Sequence, residues 1–223
     1  MWKKHIRGAF FTQSVFLITD RKNHIYNRRN VVKWRKRKSA ENGETADLEK
    51  EETNMYFGVQ MYGVSKEWKQ DPEGFLKKIY EAGYRQIEPC LGFRVDARDY
   101  GFWIPEDLEQ AMPLLAKYHI EVHAVHIFLD EYHYERELAI LTELAQKYHI
   151  SWFVVKSPAR LTKDVLDETA ARYRELAEEL EKAGAGLLIH NEKEDICIRV
   201  NGKTAYEYLL EACGEKVGAE VDA

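Results

Sequence analysis

Two short stretches place residues of reactive type where apolar runs break into charge. Leu187–Asp195 reads Leu-Leu-Ile-His-Asn-Glu-Lys-Glu-Asp, and Gly218–Asp222 reads Gly-Ala-Glu-Val-Asp. Side chains two apart on a strand face the same way. His190 and Glu192 therefore share a face, as do Glu220 and Asp222. Glu88 and His126 close two further apolar runs, so all six residues could line one polar mouth. Hard divalent metals favour carboxylate oxygens, and imidazole suits transition metals. The residue types predict a metal site at strand tips, with Glu192 a candidate ligand by its tip position.

Other residues at run ends carry weaker signals. His190 is placed to orient a substrate oxygen or a metal ligand, or else to be a satisfied core group, and His126 has the same two readings. Glu88 is a candidate contact for substrate hydroxyls. Lys156, closing Ser151–Lys156, could meet a phosphate or carboxylate, or could cover apolar surface with its stem. Trp103 lies in a loop, where it could stack on the flat face of a ligand or cover the core.

These residues need elements to position them. From Met55 onward the chain alternates strand-like and helix-like segments. Strands are predicted over Tyr56–Tyr62, Arg85–Glu88 (ended by Pro89), Glu121–Phe128, Ser151–Lys156, Gly186–His190 and Val217–Asp222. Helices are predicted over Asp71–Ala82, Pro105–Tyr118, Glu131–Tyr148, Lys163–Ala183 and Thr204–Cys213, with Gly92–Trp103 a loop. Strand starts fall 29 to 35 residues apart, the length of one strand–helix unit. Continuous apolar strands separated by helices imply a parallel sheet covered by helices. A doubly wound open sheet and most of an eight-stranded barrel both fit.

The net charge of −5 conceals an asymmetry. Residues 1–39 hold twelve Lys/Arg and one acid, which leaves −16 on the remainder. Residues 40–54 are acidic with little to bury. The expected organisation is a disordered arm and linker over 1–54 and a folded domain over 55–223. Within the arm, cations interleave with Tyr26 and Trp34. One reading is a nucleic-acid arm, and the plainer one is a tail without a selected role. Three widely spaced cysteines form no disulfide framework, which points to a reducing, cytoplasmic setting. No stretch is long and apolar enough to span a membrane. Dinucleotide, P-loop and Gly-x-Ser-x-Gly motifs are absent, which argues against nucleotide and serine-hydrolase chemistry.

Gly58-Val59-Gln60-Met61-Tyr62, Phe75–Ile79, Gly83-Tyr84 and Ile87-Glu88 resemble the opening of the sugar phosphate isomerase/epimerase family. Val125-His126, Leu188-Ile189-His190-Asn191, Asn201–Tyr206 and Gly218–Asp222 continue the resemblance in the family's order. It implies a xylose-isomerase-like TIM barrel. Members continue beyond a sixth strand, so the expected fold is an incomplete (β/α)8 barrel with about six parallel strands and five helices. A barrel left open there would have an unpaired edge, which self-association into a homo-oligomer could cover. The resemblance places a metal ligand at Asp222, and a strand-five ligand at Asp195 as the alternative to Glu192. Glu192 stands where the family has a second histidine.

The implied activity is divalent-metal-assisted proton abstraction next to the carbonyl of a sugar or sugar phosphate. The outcome would be isomerisation, epimerisation or inosose-type dehydration, with Mn, Mg, Co or Zn as the metal. Glu192, His126 and His190 are the candidate catalytic residues, and Glu88, Lys156 and Trp103 the candidate substrate contacts. Two carboxylate ligands do not complete a four-ligand site, so weak turnover by residues 1–223 is expected. The alternative function is a non-enzymatic α/β binding module with an RNA-binding arm. The acidic body makes nucleic acid the less expected partner.

Overall fold

The computed structural model describes the backbone of residues 15–19, 55–129 and 133–221, with side chains from Gly58 onward. The strands are β1 (Val15–Thr19), β2 (Met55–Gln60), β3 (Gln86–Glu88), β4 (Cys90–Leu91), β5 (Glu121–Val122) and β6 (Ala124–Ile127). They continue with β7 (Trp152–Lys156), β8 (Gly186–His190), β9 (Arg199–Val200), β10 (Lys203–Thr204) and β11 (Val217–Glu220). The helices are α1 (Ser65–Gln70), α2 (Pro72–Glu81), α3 (Pro105–Lys117), α4 (Tyr134–Tyr148), α5 (Lys163–Lys182), α6 (Lys193–Cys197) and α7 (Ala205–Cys213).

β2 pairs in parallel with β3, and β3 with β5; β4 pairs with β6, β6 with β7, β7 with β8, and β8 with β11. The pairs β3/β4 and β5/β6 are each one strand interrupted at a single residue. Six parallel strands thus follow one another in sequence order. A doubly wound sheet would reverse direction at a switch point; this order is that of a barrel wall.

The sequence ends its second strand at Pro89, but the ladder resumes beyond it. Proline has no N–H to give, yet its carbonyl still accepts from His126 N at 2.9 Å. Two short helices, α1 and α6, lie in segments expected to be connections. A 3-10 helix, Val95–Tyr100, occupies the predicted loop 92–103. Cys90 and Cys213 are buried and Cys197 is exposed.

The arm also departs from expectation in one place. Val15–Thr19 (Val-Phe-Leu-Ile-Thr) pairs antiparallel along the outer edge of β2. Five consecutive strand-forming residues are too few to show a period, and β2 offers an edge of unpaired backbone groups. The rest of the expected arm and linker, 1–14 and 20–54, lies outside the described residues. Among the described residues, no helix is long and apolar enough to cross a membrane.

Strand residues alternate between two environments. Val125, Phe153, Val155, Leu187, Ile189 and Val217 pack outward against the helices. Ala124, Val154 and Leu188 form a separate inner cluster with Trp152. Helix ends follow local chemistry. Asp71 accepts from Gly74 N at 2.9 Å ahead of Pro72. Thr204 and Glu207 exchange side chain-to-backbone hydrogen bonds, a reciprocal cap for α7.

α4 ends on His149, which is exposed and holds φ at 56°. That left-handed geometry costs a residue with a Cβ about 1–2 kcal/mol, and glycine gives part of the gain back through chain entropy. His149→Gly is expected to raise unfolding stability by about 0.5–1 kcal/mol, read as a shift in the urea midpoint at unchanged slope.

Candidate functional site

The inner face of the barrel wall changes character along its length. At one level Ala124, Trp152 and Gly186 are register partners. One step up stand Cys90, His126, Val154, Leu188 and Gly218. At the C-terminal tips stand Lys156, His190 and Glu220. Glu88, paired with Gln60, reaches the same end from β3. An apolar floor therefore lies under a polar mouth at the strand end where parallel α/β folds gather ligands.

Glu88, His126 and Glu220 converge there. Each offers one ligand atom, and the three atoms lie within 4.8 Å of one another. Glu88 is 0% exposed and His126 6%. Neither ring nitrogen of His126 has a hydrogen-bond partner, and the Glu88 carboxyl meets only the carboxyl of Glu220. His126 Nδ1 stands 3.7 Å from Glu88 Oε1, too far for a hydrogen bond. Buried polar atoms are normally satisfied, so an unpartnered imidazole beside two facing carboxyls calls for a guest. A Glu/His/Glu donor set fits a divalent metal ion with mixed oxygen and nitrogen preference.

The electrostatics agree. Burial pushes the Glu88 carboxyl up to about 8, and hydrogen bonding with Glu220 opposes the rise. The two carboxyls share a proton in preference to both ionising. Burial pushes the His126 imidazole down to about 4, against the charge of Glu192 and with that of Lys156. A neutral imidazole is the form that binds metal.

The remaining sequence candidates distribute as follows. His190 joins the centre from β8, its ring 5.3 Å from that of His126. Glu192 is exposed immediately before α6, outside the three-residue cluster. Asp195 is buried but turned to a local task, accepting from Glu192 N at 3.0 Å to cap that short helix. Asp222 lies outside the described residues. Lys156 is exposed at the mouth, its ammonium 5.7 Å from the centre of the Phe128 ring.

Trp103 goes elsewhere. It is 3% exposed and stacks on Trp68 at 4.9 Å, with its backbone bridged to Leu91. It presents no open ring face, so the expectation that it contacts substrate is corrected. A buried indole gains more from the core than from a loop tip.

Aromatic residues that sequence reasoning passed over form a wall beside the centre. Phe128 stacks on His126 at 5.2 Å and on Phe102 at 4.4 Å. Tyr62 and Tyr100 extend the wall from Phe102 at 5.7 and 6.4 Å, and both are exposed. The run Tyr100-Gly101-Phe102-Trp103 is the signal in the sequence, and the structure places Tyr100 and Phe102 in the wall and Trp103 in the core.

Glu220 is positioned by Tyr206 of α7. The Tyr206 hydroxyl lies 2.7 Å from Ile189 O and 2.9 Å from Glu220 O, tying the tips of β8 and β11 together. Tyr206→Phe leaves both carbonyls without this donor. It is expected to cost about 1–2 kcal/mol of stability, measured by urea unfolding.

No family model matches the sequence, and no curated protein matches it. Among solved structures, the fold is similar to that of a sugar phosphate isomerase/epimerase from Parabacteroides distasonis ATCC 8503. The identity is 20% and the TM-score 0.60, over 74% of this chain and 64% of that one. It is also similar to a xylose isomerase domain containing protein from Salmonella typhimurium LT2. There the identity is 12% and the TM-score 0.50, over 73% of this chain and 58% of that one. At such identities the likeness is one of fold, that of part of a xylose-isomerase-like TIM barrel. The chain spans less than two thirds of the length of either structure.

Proposed function

We propose that this chain is a divalent-metal-assisted sugar isomerase or epimerase that works by proton abstraction beside a sugar carbonyl. The observation that carries the reading is the convergence of Glu88, His126 and Glu220, with both ring nitrogens of the buried His126 lacking hydrogen-bond partners. A divalent ion, when bound, supplies Lewis acidity that stabilises negative charge on the sugar oxygens. Glu88, His126 and Glu220 would hold that ion. Glu192, exposed at the mouth and close enough for its charge to act on His126, takes the proton from the carbon next to the carbonyl. His190 orients a sugar hydroxyl. Return of the proton to the same carbon gives an epimer, and to its neighbour an isomer. The aromatic wall of Phe128, Phe102 and Tyr62 supports a polyol partner, because a pyranose ring offers C–H groups to an aromatic face. Both structural neighbours carry sugar-isomerase descriptions, which agrees with that substrate class.

The test is a Mn2+ titration of the EDTA-treated chain followed by thermal unfolding. Saturable stabilisation is expected, and Glu220→Gln is expected to remove it. The same samples in D2O with a ketose should show metal-dependent deuterium entry at the carbon beside the carbonyl. Absence of any metal-dependent shift in the unmodified chain would overturn the reading.

A further inference from the structure

A file of aromatic rings runs from the buried centre to open solvent. His126, 6% exposed, stacks on Phe128, and Phe128 stacks on Phe102. Beyond Phe102 stand Tyr62 and Tyr100, which are 54% and 70% exposed. Phe128 already has a ring neighbour in His126 and another in Phe102, so the open ring surface of the file belongs to the two tyrosines. Single exposed apolar side chains are ordinary on a protein surface. Two exposed rings that continue one stacked file are a patch, and such patches mark binding sites.

The two tyrosines are firmly mounted. Tyr62 follows the tip of β2, and its N–H donates to Gln60 Oε1 at 2.9 Å. Tyr100 ends the 3-10 helix Val95–Tyr100. Within that helix Arg98 donates to both carboxyl oxygens of Asp107 in α3, at 2.8 and 2.7 Å, and Lys69 of α1 donates to Arg98 O at 2.7 Å. Gly101 then turns the chain at φ 87°, where a Cβ would lie 2.9 Å from Ser65 Oγ. The two tyrosine-bearing segments are therefore packed against each other. Rings held on braced segments lose little freedom when a ligand settles on them.

We propose that Tyr62 and Tyr100 form a subsite for a second sugar ring, so that the substrate class is a disaccharide whose reducing unit is a ketose. This rests on the reading of the Glu88–His126–Glu220 centre as the reacting end. A ketose with its carbonyl at that centre lies along Phe128 and Phe102. A ring joined to its far end by a glycosidic bond falls on the tyrosines. The C–H face of a pyranose suits an aromatic ring, and a tyrosine hydroxyl both donates to and accepts from sugar hydroxyls. Continuity selects this occupant: the exposed pair is the outward extension of the wall beside the centre, not a separate patch.

The experiment is titration calorimetry on the full chain in EDTA. The probes are fructose and two ketose disaccharides, lactulose and maltulose, which differ in their linkage to the ketose. At least one disaccharide is expected to bind about tenfold or more tighter than fructose. Tyr100→Ala, at an exposed position, should reduce that preference to about threefold or less, and Tyr100→Phe, which keeps the ring, should retain most of it. Equal binding of fructose and both disaccharides, or a preference that survives both Tyr100→Ala and Tyr62→Ala, would overturn the proposal. So would self-association that Tyr100→Ala abolishes while the sugar preference stays, which would make the patch a contact between copies. A Mn2+ titration of the same samples separates the two readings. A disaccharide preference without Mn2+ binding would sink the metal centre and leave the subsite standing. Mn2+ binding without the preference would sink the subsite alone.

Discussion

Glu88→Gln is expected to make the metal-free protein more stable at high pH and to abolish its metal binding. Both effects follow from one burial. The Glu88 carboxyl, ordinarily near 4.5, is pushed up to about 8, chiefly by desolvation. The folded state therefore keeps a proton that the unfolded state releases. Below about pH 4.5 the group is protonated in both states and costs nothing. As pH rises from there towards 8, folding must take up a proton, so stability falls; above 8 the folded carboxylate is ionised and the full cost is present. Each unit of upward shift is worth about 1.4 kcal/mol, so the accumulated cost reaches on the order of 3–5 kcal/mol.

Gln keeps the shape of the protonated acid and never ionises. In EDTA, urea unfolding should show the variant within about 1 kcal/mol of the parent at pH 5 and several kcal/mol ahead at pH 9. A constant gap at all pH values would sink the argument. With Mn2+ present the order should reverse, because a ligand that binds only the folded state stabilises it in proportion to its affinity, and the variant has lost a charged ligand. A residue that destabilises the empty protein and stabilises the loaded one is what a buried binding group should look like.

The sequence made the architecture legible for a physical reason. Each strand is a short apolar run, each helix an amphipathic stripe, and their spacing repeats, so local signals alone yield six parallel strands in order. The strand tips were legible too: Glu88, His126, His190 and Glu220 all end apolar runs. What was not legible was the division of labour among carboxylates. Glu192 and Asp195 sit three apart beside a strand tip, and only the fold shows Asp195 bent back onto Glu192 N as a helix cap. Glu220 and Asp222 share a face, so parity could not choose between them. Trp103 was misread because a loop position in sequence says nothing about depth. Phe128 and Phe102 were missed because they are far apart in the chain, and their stacking is a product of the pairing of β4 with β6. Val15–Thr19 was missed because its pairing depends on the edge of β2 rather than on its own pattern.

The barrel floor gives the second large effect. Gly186→Ala is expected to cost about 1–3 kcal/mol, although alanine suits a strand better than glycine does. The reason is Trp152, the register partner of Gly186 across β7 and β8. A Cβ on residue 186 would lie 2.3 Å from Trp152 Cζ3 and 2.6 Å from Cε3. The clash is with a rigid ring, which cannot yield as the end of a flexible side chain would. Trp152→Ala removes the ring at a cost of about 2–4 kcal/mol, and with it the obstacle. In that background Gly186→Ala should become neutral or stabilise by a few tenths of a kcal/mol, because alanine has less unfolded entropy to lose. A double-mutant cycle by urea unfolding should therefore show coupling of about 1–3 kcal/mol; additive costs would mean that the two residues do not oppose each other. The consequence reaches the mouth, because the same pair of strands carries Lys156 opposite His190 two register steps above Val154 and Leu188. A ring forced aside at the floor displaces β8 against β7. Gly186→Ala should therefore weaken Mn2+ binding at the Glu88–His126–Glu220 centre severalfold while touching none of its ligands.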